Sequence, residues 1–225
     1  MLTPVYFDIF PIIIPYYLHI RKNIFRMTTT LLKRTQTMSK ELEKELKTGL
    51  TESEYHHLYT FLQCDKRPLI SQENYYFDTF DNQLLNHKLG LRIRLDDTHG
   101  EFTLKVPVAE HEKMEITDIF SLDLGRAYLQ SNTFPNGHVV QELRHYNISS
   151  TNLIQIGTLK NERYEIETLD GLWVLDKSYF QNGITYELEF EYETNTKPFY
   201  DFLEKHGILF KALPSKLARA VNRQA

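Results

Sequence analysis

The sequence contains one cysteine, Cys64, in 225 residues. A single thiol excludes an internal disulfide framework, and a reducing cytoplasm is the natural setting. Cys64 follows a helix-like stretch with no activating pattern beside it, so nothing marks it as a nucleophile. A basic excess is also missing. Lys and Arg number 26 against 30 Asp and Glu, a formal charge of -4. That excludes the cationic surface that usually accompanies nonspecific nucleic-acid binding, and no nucleic-acid partner is expected. Nor is there a long unbroken apolar run. Pro4 to Ile20 is apolar and aromatic, but Asp8, Pro11 and Pro15 interrupt it, and what remains is too short to span a bilayer. Arg21, Lys22 and Arg26 follow this run instead of preceding it, the reverse of a secretory signal, so no membrane partner is expected. Metal-ligand spacing is absent among His87, His111, His138 and His145, His56 and His57 read as surface residues of a helix, and there is no nucleophile elbow.

What is present divides unevenly. Residues 1–37 hold five of the basic residues and one of the acids, which leaves 21 basic and 29 acidic residues from Met38 onward, a net charge of -8. Lys33-Arg34-Thr35 can be encoded by a purine-rich stretch of ribosome-binding type. We therefore expect residues 1–37 to be a non-native or disordered extension, with a native start at Met38 and one acidic domain over residues 38–225. No low-complexity tract or linker divides that domain.

The domain is organised around Glu41-Leu42-Glu43-Lys44-Glu45-Leu46-Lys47. In a strand, alternate side chains share a face, so Glu41, Glu43, Glu45 and Lys47 line one side. Thr51 and Glu54 have capping-box spacing and predict a helix over residues 52–63. Strands are expected over residues 74–79, 89–95 and 101–106, the last two joined by a turn, and then over 113–120. Arg92 and Arg94 share a face of the second, and Lys105 lies on the third. Helices are expected over residues 122–129 and 137–146. Further strands cover 154–160, 162–168, 172–179 and 184–192, and the last places Glu187, Glu189 and Glu191 on one face. Helices over 197–205 and 215–223 close the chain.

This many strands with little parallel-type crossover predict an α+β fold built on one antiparallel sheet or barrel. Alternation alone favours an apolar face on the core and a charged face in solvent. The charges themselves point elsewhere. Solvated strand faces are usually poor in Asp and Glu, whereas here Glu triplets and Arg or Lys pairs segregate onto different strands. Carboxylates hold hard divalent cations that bridge to phosphate oxygens, and Arg and Lys bind the phosphates directly. A barrel with a polar lumen and helices over its apolar outer face would bring these groups together.

Glu43-x-Glu45-x-Lys47 on an N-terminal strand resembles the signature of the CYTH, or triphosphate tunnel metalloenzyme, superfamily. The resemblance runs from about Ser39 to the C-terminus. It continues through Asn74-Tyr75-Tyr76-Phe77-Asp78-Thr79, Leu91-Arg92-Ile93-Arg94, Thr103-Leu104-Lys105, Glu115, Arg163, Leu175-Asp176, Tyr186-Glu187-Leu188-Glu189 and Ser215-Lys216-Leu217. It is strongest to small stand-alone bacterial members of Gram-positive species.

The resemblance implies an eight-stranded antiparallel β-barrel, or tunnel, with a charged lumen and helices packed outside. It implies Mg2+ or Mn2+ held by Glu43, Glu45, Glu115, Asp176, Glu187 and Glu189. It also implies a triphosphate held by Lys47, Arg92, Arg94, Lys105, Arg163, Lys216 and Arg219, with Glu43, Glu45 and Lys47 at the chemistry. Members hydrolyse inorganic triphosphate, thiamine triphosphate or nucleoside triphosphates, cap RNA, or cyclise ATP. The expectation is a metal-dependent triphosphatase, with a thiamine triphosphatase, an adenylyl cyclase or a noncatalytic triphosphate-binding protein as alternatives. Glu41, Lys44 and Glu191 are expected to be solvated charges, Lys88 and Lys160 solvated loop residues, and Trp173 a packing residue.

Overall fold

The alternating stretches become strands of one sheet. The computed structural model describes residues 38–221. Its strands are β1 (Met38–Leu50), β2 (Ile70–Thr79), β3 (Gly90–Leu95), β4 (Gly100–Ala109), β5 (Glu112–Phe120), β6 (Leu153–Glu167), β7 (Gly171–Phe180) and β8 (Gly183–Tyr192). The helices are α1 (Glu52–Phe61), α2 (Gln83–Asn86), α3 (Leu122–Ser131), α4 (His138–His145), α5 (Lys197–Lys205) and α6 (Lys216–Ala220). The eight strands close into a barrel in the order β1-β5-β4-β3-β2-β6-β7-β8, and every pairing is antiparallel.

β1 makes the closure. Its first half, Met38 to Lys44, pairs with β5, and its second half, Glu45 to Leu50, pairs with β8. Glu43 and Glu45 therefore sit on either side of the point where β1 changes partner.

Two apolar clusters cover the barrel, and both involve helices. One joins Leu91, Ile93, Phe102, Leu104 and Ile116 of β3–β5 to Leu84 of α2 and to Val139, Val140 and Leu143 of α4. The other joins Leu46, Leu175, Leu188 and Phe190 to Tyr55 and Leu58 of α1 and Phe199 and Leu203 of α5. Because side chains alternate across a strand, the charged set faces the opposite way, into the barrel. Trp173 belongs to the second cluster and packs at a tilt against Phe190 and Phe202, each 4.4 Å away between ring centres, as a packing residue should.

Local signals hold in detail. Thr51 Oγ1 accepts from the Glu54 amide at 3.2 Å, and the Thr51 amide donates to Glu54 Oε2 at 2.6 Å, which completes the capping box. Asp96 Oδ1 accepts from the Thr98 and His99 amides and forms the turn between β3 and β4.

Other expectations are corrected. The strands expected over 154–160 and 162–168 are one continuous strand, β6; Asn161, read as a break, is buried and hydrogen-bonded to Asn74. α2 is only four residues long, too short for a periodic signal, and Asp78 fixes it by accepting from the Leu84 and Leu85 amides. α1 stops at Phe61 because Gln63 turns into the left-handed region at φ 52°. The last helix spans Lys216–Ala220, and residues 222–225 lie outside the described residues, as does the extension expected over residues 1–37. Among the described residues no helix is long and apolar enough to cross a membrane.

The chain after α5 returns to the barrel. Lys211 exchanges hydrogen bonds with the end of β1, its amide donating to Thr48 Oγ1 and its carbonyl accepting from the Gly49 amide. Leu213 then lies over Gly49, where an added Cβ would come within 3.1 Å of its side chain. At the far end of α6 a Cβ on Gly157 would meet Val221 Cγ1 at 2.8 Å and the Ala220 carbonyl oxygen at 3.0 Å. The missing side chains let α6 lie close against the barrel, with Ser215 capping it through the Ala218 amide.

Candidate active site

The lumen has an acidic wall, a cationic wall and a mixed wall. Register builds the first. Asp176 of β7 stands opposite Glu187 of β8 and opposite Arg163 of β6, and Glu189 of β8 stands opposite Lys47 of β1. All three acids are buried. Arg163 grips Asp176 with two parallel bonds, Nε to Oδ1 at 3.0 Å and Nη2 to Oδ2 at 2.8 Å, and reaches Glu189 at 3.1 Å. α6 inserts two more cations. Lys216 Nζ lies 2.5 Å from Asp176 Oδ2, 2.6 Å from Glu189 Oε1 and 3.5 Å from Glu187 Oε1. Arg219 donates to Glu187 Oε1 at 2.7 Å and to Thr185 Oγ1 at 2.9 Å. Burial opposes every charge here, but the partners win. Lys216 is raised far above an ordinary lysine by Asp176, Glu189 and Glu187. Glu189 is held well below the carboxylate range by Lys216, Lys47 and Arg163. Glu187 Oε2 is buried without a hydrogen bond among the described residues.

The mixed wall comes from β1, β4 and β5. Lys105 Nζ bonds Glu43 Oε2 at 2.9 Å and makes a close ion pair with Glu115, its register partner. Lys47 donates to Glu45 at 2.8 Å. Burial opposes ionisation of Glu115, but Lys105 and Arg92 hold it well below the usual range. Glu43 is raised, first by burial and then by Glu115 and Glu45, with Lys105 opposing.

The cationic wall is β3. Arg94 donates through Nε to Asn74 Oδ1 at 3.1 Å, and Arg92 Nε is buried without a hydrogen bond. Neither arginine forms an ion pair among the described residues. Burial, Arg92 and Arg163 push Arg94 down to about 10, against the opposing pull of Glu101, its register partner on β4, and of Glu115.

The thirteen residues singled out by sequence thus come to one lumen. Several others do as well. Lys113 stands opposite Glu43 and is depressed by burial and Lys105. Its inward position was visible in the alternation of β5, yet no motif marked it. Glu101 bonds His99 near Arg94 and Arg92, which outweigh burial and bring it to about 2. Glu191 corrects an expectation. It is half-buried, not solvated, and stands opposite Glu45. Burial, Glu43 and Glu45 raise it to about 7. Glu41 is exposed, and Lys44 pairs weakly with Glu112 at 3.6 Å. Lys88 and Lys160 are exposed, although Lys160 lies on β6 and not in a loop.

The candidate metal ligands are all carboxylate oxygens, a donor set that suits a hard divalent cation such as Mg2+ or Mn2+. Among the described residues no three His, Cys, Asp or Glu side chains converge into a cage. Glu43 and Glu191 are raised first by burial and then by neighbouring carboxylates, and a cation would relieve the second of these.

A closed antiparallel barrel with a charged lumen and helices outside is a tunnel-type fold, distinct from barrels filled by apolar side chains. The family model of the CYTH domain matches residues 41–221, and the chain belongs to that family. It is 30% identical over 191 residues to YjbK of Bacillus subtilis (strain 168), a protein assigned provisionally as a triphosphatase. The match covers 81% of this chain and 95% of YjbK. A crystal structure from Bacillus halodurans, provisionally assigned as an adenylate cyclase, superposes with a TM-score of 0.74 at 32% identity, covering 80% of this chain and 97% of that one. A Hippeastrum protein, provisionally an adenylyl cyclase with a dominant triphosphatase activity, shares the fold. Its TM-score is 0.66 at 19% identity, covering 80% of this chain and 94% of that one.

Proposed function

We propose that the protein is a divalent-metal-dependent triphosphatase that hydrolyses inorganic triphosphate within its lumen. The observation that carries this reading is the unpaired state of Arg92 and Arg94 in a lumen whose opposite wall is Asp176, Glu187 and Glu189. A row of phosphates supplies the charge that the arginines lack. The kinship with YjbK supports the reaction type.

Arg92 and Arg94 take phosphate oxygens in bidentate fashion, and Lys47, Lys105, Arg163, Lys216 and Arg219 add charge along the chain. These cations stabilise the negative charge that builds on the terminal phosphoryl group and on the leaving pyrophosphate. Glu43 and Glu45, with Glu115, Asp176, Glu187 and Glu189, are the oxygen donors for Mg2+ or Mn2+. When bound, such an ion would neutralise charge on the phosphates and act as a Lewis acid. Water adds to the terminal phosphorus, the bridging P–O bond breaks, and pyrophosphate and phosphate leave. The single free thiol fits a cytoplasmic enzyme.

An adenylyl cyclase is the second reading, favoured by the kinship with the Bacillus halodurans protein. Purified protein incubated with inorganic triphosphate, ATP or thiamine triphosphate, with Mg2+ or Mn2+, separates the possibilities. Phosphate release from inorganic triphosphate is expected. Cyclic AMP from ATP would replace this reading with the second, and tight binding without turnover would make the protein a triphosphate sensor.

A further inference from the structure

Two neutral side chains on the neighbouring strands β2 and β6 link the cationic wall on β3 to the acidic wall on β7. Asn74 stands opposite Arg94 in register, and its Oδ1 accepts from Arg94 Nε at 3.1 Å. Asn74 Nδ2 donates to Asn161 Oδ1 at 2.9 Å. Asn161 Nδ2 donates to Asp176 Oδ1 at 3.3 Å. Both amides are buried, with 2% and 1% of their surface exposed. The direction of the relay is forced at both ends. A guanidinium can only donate and an ionised carboxylate can only accept, so each amide has one satisfying orientation.

The relay solves a problem that a carboxylate would create. A buried guanidinium needs an acceptor to hold it. A carboxylate at Asn74 would supply one and neutralise the arginine, as Asp176 does for Arg163. An amide oxygen orients the group without closing an ion pair on it; Glu101, opposite Arg94 on β4, is engaged by His99 and forms no ion pair with Arg94 among the described residues. We propose that Asn74, backed by Asn161, is a positioning residue that aims Arg94 into the lumen while leaving its charge free for the substrate's phosphates. Asn161 fixes the amide of Asn74 from behind and ties its setting to Asp176. Arg94 then carries net charge toward the anion without being loose.

The inference rests on the triphosphate reading above, and inorganic triphosphate is the probe. Asn74→Asp keeps the shape and adds the charge. It should raise KM for inorganic triphosphate about tenfold, the worth of a charge-assisted bond, with a smaller change in kcat. Asn74→Ala removes the acceptor without adding charge and should raise KM less, about threefold. Both effects should disappear in an Arg94→Gln background, where no charge remains to be aimed or neutralised. A structural role alone would instead lower kcat and melting temperature together, and would add fully to Arg94→Gln. Should Asn74→Asp not fold, Asn74→Ala and its Arg94→Gln double variant carry the same test. An unchanged KM in Asn74→Ala, a larger effect from Ala than from Asp, or additivity with Arg94→Gln would each overturn the proposal. Failure of the wild-type protein to bind or hydrolyse inorganic triphosphate would instead overturn the functional reading beneath it.

Discussion

Arg163 and Asp176 form a planar, two-bond pair in the most buried part of the acidic wall, at 3.0 and 2.8 Å. Asp176 has no exposed surface, so its charge depends on this partner and on Lys216. Removing one partner of a buried pair typically costs 3–5 kcal/mol. Lys216 remains, so the lower end applies. Arg163→Ala should lose about 3 kcal/mol in urea denaturation and nearly all turnover. Arg163→Lys should recover only part of the stability, because an ammonium cannot make the two-bond contact. Equal stability of the Ala and Lys variants would contradict this account.

Arg92 should behave differently. Its Nε is buried without a hydrogen bond and it forms no ion pair among the described residues; it supports the ionised Glu115 and Glu101 only through space, so the folded state gains less from it than from Arg163. Arg92→Ala should therefore lower turnover about a hundredfold, as loss of a preorganised donor does. Its melting temperature should fall by less than that of Arg163→Ala, because Lys105 still holds Glu115 and His99 still holds Glu101. A variant that loses activity only in proportion to folded protein would remove Arg92 from the phosphate site.

These two arginines also show what sequence reading could reach. Arg92 and Arg163 both carried family motifs, and both lie in the lumen. Their different circumstances, one unpaired and one clamped, depend on which strands meet across the barrel. Glu191 shows the same limit. It shares a face with Glu187 and Glu189, but only the pairing of β1 with β8 puts it beside Glu45. Asn74 and Asn161 are neutral and carry no charge signal; their role exists only once β2 pairs with β6. The strands themselves were legible because alternation is local. The break imagined at Asn161 arose because a polar residue in a strand reads as a turn unless the polar lumen is known.

Metal removal should separate function from folding. The apolar clusters that hold the barrel together lie under the helices, and the lumen acids have Lys and Arg partners without any ion. Chelation with EDTA should abolish phosphate release and leave the melting temperature nearly unchanged. Added Mg2+ or Mn2+ should restore turnover. Unfolding on chelation would mean that the ion is structural.

His99 gives a pH signature. Its ring bonds Glu101 at 3.2 Å and lies near Asp96, and these partners raise its pKa above the ordinary 6.5 against burial. A raised pKa stabilises the fold fully below the unfolded value and loses that contribution as pH rises through the folded one. His99→Gln should therefore be less stable than wild type near pH 5.5, by under about 1 kcal/mol for this half-exposed ring, and equal to it at high pH. Glu101, brought down to about 2, contributes in the other direction: its share is present above about 4.5 and fades as pH falls toward 2. Thermal melts of both proteins at acid and alkaline pH measure the difference. A deficit that grows with rising pH would reverse the assignment.

The last prediction concerns α6, which carries Lys216 and Arg219 into the lumen yet has only five residues. So short a helix is not stable alone, and its placement depends on what it rests against. Gly157 allows Val221 and the Ala220 carbonyl to close on β6, where a Cβ would meet them at 2.8 and 3.0 Å. A backbone oxygen cannot rotate away, so Gly157→Ala must lift the end of the helix. Arg219 sits one residue before Ala220, and Lys216 bridges Asp176 and Glu189 at hydrogen-bond distance. Displacements of about 1 Å in such groups cost up to a hundredfold in rate. Gly157→Ala should thus lose 10- to 100-fold in kcat/KM, with the far-ultraviolet circular dichroism of the barrel intact. Gly183→Ala is the control for a glycine substitution as such, since a Cβ there meets nothing within 4 Å and only its φ of 134° is strained. Equal losses in the two variants would show that α6 placement is not what Gly157 protects.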